Sequence, residues 1–64
     1  MELDAAQLSS LSSALADLTE RITALADGYQ GSPREDVAAD LYEVERHLQA
    51  ADRRLRSLLT RLDG

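Results

Sequence analysis

The chain has 64 residues, with 12 acids against 7 bases and a net charge of -5, so it makes one small domain and is a poor match for a dedicated nucleic-acid binder, which is normally basic. There is no cysteine, which excludes disulfides and thiolate metal sites, and no Phe or Trp; Leu and Ala supply the apolar mass, a composition that suits helices better than sheets. Met-Glu-Leu-Asp begins no basic region followed by an apolar run, and no stretch approaches the roughly 18 apolar residues of a membrane span, so the expected location is the cytoplasm.

The first predicted helix covers about residues 5–27. Asp4 is a good N-cap, Gln7 completes a capping box, and Leu3 and Leu8 have the spacing of a hydrophobic staple. Along it Leu8, Leu11, Leu15, Leu18, Ile22 and Leu25 recur in alternating steps of three and four, an a/d heptad seam. Ala5, Gln7, Ser12, Ala14, Thr19, Arg21 and Ala26 occupy the flanking e and g positions. A solvated two-stranded coiled coil carries Glu and Lys there. Small uncharged residues instead let another helix come close, so a further surface is expected to pack on this helix.

Residues 28–32 form the predicted loop. Gly28 is the expected left-handed C-cap of the first helix, and Tyr29-Gln30-Gly31-Ser32-Pro33 does not continue it. Ser32 then reads as N-cap, Pro33 as the first helical residue and Glu35 as the capping-box partner.

The second predicted helix covers about residues 33–63. Its seam is Val37, Leu41, Val44, Leu48, Ala51, Leu55, Leu58 and Leu62, again in steps of four and three. Acids fill its first half (Glu35, Asp36, Asp40, Glu43, Glu45) and arginines its second (Arg46, Arg53, Arg54, Arg56, Arg61), an order that suits the helix dipole. Asp17–Arg21 and Asp52–Arg56 have acid-first i,i+4 spacing. Two antiparallel registers, one heptad apart, fit the loop length. The preferred one sets Leu11 by Leu55, Leu18 by Leu48 and Leu25 by Leu41, with Tyr29 over Val37.

The fold expected from these patterns is all-α: an antiparallel two-helix coiled-coil hairpin. Each seam residue of a lone hairpin keeps one edge in water, and Leu3 and Leu59 extend the apolar surface further. The hairpin is therefore expected to dimerise into a four-helix bundle. Candidate partner contacts are Ala14, Thr19, Arg21, Arg46, Arg53, Arg54, Leu59 and Arg61. Of these, Arg46 and Arg53 at f and Arg54 and Arg61 at g form a stripe along the second helix, able to meet an acidic partner or an anionic surface.

Chemistry is sparse. His47, the only histidine, has Glu43 one turn earlier, but one pair supplies only two metal ligands. No nucleophile stands with a base. The expectation is a non-catalytic interaction or adaptor module without cofactor or metal, acting as a homodimer. A regulatory binder that sequesters a transcription or secretion component through the arginine stripe is the second reading, and direct nucleic-acid binding a lesser one. Every base is Arg, as expected of a GC-rich bacterial genome. Tyr29-Gln30-Gly31 at the bend resembles the Trp-x-Gly turn of small type VII secretion substrates, which are helical hairpins that pair into four-helix bundles. This chain has Tyr in place of Trp, is much shorter, and lacks the family's Tyr-x-x-x-Asp/Glu signal after the second helix: Tyr42 lies within that helix and Arg46 follows four residues on.

Overall fold

The computed structural model describes residues 5–63; the Asp4 cap and the staple residue Leu3 lie outside them. Two helices, α1 (Ala5–Tyr29) and α2 (Glu35–Asp63), pack along each other as an antiparallel hairpin. They contain 25 and 29 residues, about 37 and 43 Å at 1.5 Å per residue, and the molecule is 48 Å long by 18 by 15 Å. No strand occurs among the described residues.

The bend differs from its prediction at two points. α1 runs on to Tyr29, past Gly28, because the Gln30 amide still donates to the Ala26 carbonyl at 3.1 Å. Gly28 sits in helical conformation, and the left-handed residue is Gly31, with φ 79°. A connection of five residues, 30–34, fits here because Gly31 has no Cβ to oppose that conformation. The restart of the chain follows the capping logic closely. Ser32 Oγ accepts the Arg34 amide at 3.1 Å, and Glu35 Oε1 accepts the Gly31 amide at 3.1 Å, one residue further back than a standard capping box. Regular α2 hydrogen bonding begins at Glu35, two residues after the predicted start, with Pro33 and Arg34 in turn conformation.

The register is close to the preferred one. It sets Ser12 against Asp52, joined by a hydrogen bond of 2.7 Å, and brings Ala26 level with Ala38. Both alanines are buried. The preferred alignment would have placed Ser12 level with Arg54, two residues away, and the heptad-shifted one level with His47.

What differs is the rotation of each helix about its own axis. α1 turns inward Leu8, Ser12, Leu15, Thr19, Ile22 and Ala26. α2 turns inward Ala38, Leu41, Glu45, Leu48, Asp52, Leu55 and Leu59. The d column of α1 is displaced outward, and on α2 Val44 and Ala51 are displaced while Val37 and Leu58 stay half-buried. Leu11 and Leu25 are 53% exposed, Leu18 44% and Val44 42%; Ala51 is exposed as well. The inner columns 8/15/22 and 41/48/55 are common to both patterns, while the second column on each helix is the e column rather than the d column. At 100° per residue, that moves the centre of the contact by about 50° from the centre of the seam. The physical cause is size and hydrogen bonding: small side chains at the e positions of α1 leave room for Asp52 and Glu45 of α2, whose oxygens are met by the Ser12 and Thr23 hydroxyls.

Candidate functional site: an apolar face opposite a polar groove

Equal rotations on antiparallel helices turn both seams toward the same side of the hairpin. Seen along the bundle, a helix running away and one running back have opposite senses of rotation, so matching offsets converge. The two grooves between α1 and α2 consequently differ in kind.

One groove is polar. The Thr23 hydroxyl bonds Glu45 and also donates to the Thr19 carbonyl at 3.0 Å. The Tyr42 hydroxyl donates to Asp27 and lies 3.1 Å from the Gln30 side-chain amide. The bond to Asp27, with desolvation and the nearby negative charge, raises the Tyr42 phenol above its ordinary value of 10.0. Thr19, Thr23, Asp27, Glu45 and Gln49 line an open depression of ≈ 390 Å³ here. Deeper, between the helices, Ser12 and Asp52 are each only 8% exposed. Asp52 accepts the Ser12 hydroxyl on one oxygen and holds Arg56 on the other at 2.8 Å. This chain of three carries the predicted Asp52–Arg56 pair into the interface. The Asp17–Arg21 pair does not form among the described residues.

The opposite groove is apolar. Its floor is the shared leucine columns, half-buried: Leu8, Leu15 and Ile22 on α1, Leu41, Leu48 and Leu55 on α2. Its walls are the d columns, Leu11, Leu18 and Leu25 on one side and Val37, Val44, Ala51 and Leu58 on the other. Tyr29 and Leu62 stand exposed at its two ends. No large side chain among the described residues is fully buried. The apolar side chains that should form a core instead surface together on one face.

The predicted contact residues sort themselves around this face. Ala14 and Arg21 on α1, and Arg54 and Arg61 on α2, occupy the g columns next to the exposed d columns and so form its rim. All four are exposed. Arg46 and Arg53 lie about 100° further round, on the outer side of α2, and Arg46 is tied to Glu43. That pairing holds the Glu43 carboxyl below its ordinary value, and Arg34 does the same for Asp36 through a hydrogen bond of 3.1 Å. Thr19 and Leu59, expected at the outer contact, are corrected to half-buried positions between α1 and α2. The e column that carries them lies between the two helices of the hairpin. The Thr19 hydroxyl is satisfied by the Leu15 carbonyl at 2.8 Å.

His47 Nε2 and Glu43 Oε2 are 3.9 Å apart on an exposed surface, and no group of three or more His, Cys, Asp or Glu side chains among the described residues is placed to hold a metal ion. No helix of the described residues is long and apolar enough to cross a membrane.

Sequence reasoning missed the Ser12–Asp52 contact because it read the two residues separately, one as a small flank residue and the other as half of a local ion pair. A signal was present. Ser12 and Asp52 both stand at e positions beside their seams, so a small hydroxyl on one helix and an acid on the other occupy equivalent flanks.

The fold and its two unlike grooves define a helical hairpin with an uncovered apolar face. No family model, curated protein or solved structure matches the chain.

Proposed function

We propose that the protein is a non-catalytic interaction module that works as a homodimer, two hairpins closing a four-helix bundle over their apolar faces. The observation that carries this reading is the rotation of both seams. In a two-stranded coiled coil each a/d seam points straight at the other helix. In a four-helix bundle each seam points at the central axis, about 45° away from either neighbour, and neighbours touch through the flanks. The offset of about 50° in this hairpin matches the second geometry. On this reading the hairpin is half of a bundle whose core the second copy completes.

Size supports the same reading. The broad side of the hairpin as a whole spans on the order of 800 Å² in projection, from extents of 48 and 18 Å, so it has room for the surface each partner of a standard interface buries. Contiguous apolar patches beyond a few hundred Å² are rare on monomers.

Sedimentation across chain concentration, comparing wild type with Leu11→Gln/Leu18→Gln/Leu25→Gln, tests the proposal. Wild type is expected to be dimeric at micromolar concentration and the triple variant monomeric or unfolded. A wild-type chain that is folded, with full helical circular dichroism, and monomeric throughout the micromolar range would overturn it.

A further inference from the structure

Resting on the homodimer reading, we infer that the second copy lies antiparallel across the apolar face, with the two bends at opposite ends of the bundle, α2 against α2 and α1 against α1. Two arrangements close a four-helix bundle from two hairpins by a two-fold axis. With the axis along the helices, both bends lie at one end and each α1 covers the other copy's α2. With the axis across the helices, the bends lie at opposite ends and each helix covers its own copy. An isologous contact of the second kind requires each rim to complement itself after reversal.

The rim of α2 does so. From its start it carries Asp36, Asp40 and Glu43; from Arg54 to Arg61 it is basic, with His47 between the two blocks. Reversing one copy over another sets each acidic block over the other copy's arginines. Arg54 comes level with Asp40 of the second copy when the axis passes near His47, and Arg61 then comes level with Pro33, two to three residues from Glu35 and Asp36. Arg54 and Arg61 have no ion-pair partner among the described residues of their own chain. Asp36 pairs with Arg34, and Glu43 with Arg46 and His47, all exposed local contacts that are weak and free to exchange.

The α1 rim is compatible with the same operation. Ala14 and Gly28 are small, and the α1 rim carries one charge of each sign, Asp17 and Arg21, so it has no segregated acidic and basic blocks for a bipolar α2 rim to recognise. In the parallel arrangement the segregated charges of α2 would face this nearly neutral flank and find few partners.

The chain lacks cysteine, so a single Gln30→Cys at the exposed bend gives one labelling site per copy. Nitroxide labels there, read by pulsed electron-spin distance measurement, are expected about 40 Å or more apart, because the hairpin is 48 Å long. A distance of about 25 Å or less overturns the antiparallel arrangement while leaving the dimer intact. A labelled protein that sediments as a folded monomer and gives no intermolecular distance overturns the dimer itself. Charge reversal provides the second readout: Arg54→Glu/Arg61→Glu is expected to weaken the dimer about tenfold or more, and adding Asp40→Arg/Glu43→Arg to the same chain to restore it to within about threefold. Reversal without effect, or without rescue, overturns the pairing of α2 with itself.

Discussion

Removing the Ser12 hydroxyl and the Asp52 carboxylate, singly and together, separates the rotated contact from a generic leucine zipper. Both groups are 8% exposed and 2.7 Å apart. Ser12→Ala deletes a donor to a charged acceptor, worth about 1.5–3 kcal/mol in general. Because Asp52 keeps Arg56 at 2.8 Å, the expected loss lies at the low end, about 1.5 kcal/mol. Asp52→Ala strands the Ser12 hydroxyl in a site with little water, a loss of about 1–3 kcal/mol. The double variant is expected to be about as stable as Asp52→Ala alone, giving a coupling of about 1–2 kcal/mol between two residues 40 positions apart in sequence. Urea unfolding followed by far-UV circular dichroism measures this, provided all four proteins are compared at one chain concentration, since self-association adds to apparent stability. Coupling below about 0.3 kcal/mol would refute the reasoning, because the two side chains would then act independently. A further variant, Ser12→Ala/Asp52→Leu, removes both polar partners and is expected to be as stable as wild type or more so.

Three other outcomes are expected. Gly28 is helical and a methyl group added there would meet no atom within 4 Å, whereas Gly31 has φ +79°, so Gly28→Ala should raise stability by up to about 1 kcal/mol and Gly31→Ala should lower it by about 1–2 kcal/mol in thermal unfolding. In a Tyr29→Phe background, spectrophotometric titration should find Tyr42 ionising above 10.0, and Asp27→Asn should bring the midpoint down. A group whose folded pKa is raised gives stability that is complete below the unfolded value and is lost as pH rises through the folded one; the alkaline loss of helix should therefore be shallower in Asp27→Asn. Thr23→Val breaks the bond to Glu45 in the polar groove, and is expected to lower thermal stability measurably without changing the dimer dissociation constant more than about twofold, since that groove lies away from the proposed interface; a large loss of dimerisation would place the interface on the wrong side.

Local patterns in the chain were enough to specify two helices, the place where they bend, and their antiparallel course. Those features depend on short-range chemistry: the three-and-four spacing of Leu8 through Leu25 and of Val37 through Leu62, the Ser32-Pro33 start with Glu35 behind it, and a glycine-containing connection too short for anything but a reversal. Which glycine takes the left-handed conformation depended on where the last helical hydrogen bond forms, and the folded chain moved it from Gly28 to Gly31. The direction in which each seam points was likewise beyond local pattern. A heptad repeat defines a stripe on a cylinder but not the angle at which two cylinders meet. That angle goes with contacts between residues far apart in the chain: Ser12 bonds Asp52 and Thr23 bonds Glu45, and Ala26 and Ala38 are small enough to be buried between the helices. The same turn brings Leu11, Leu18, Leu25 and Val44 onto one exposed face.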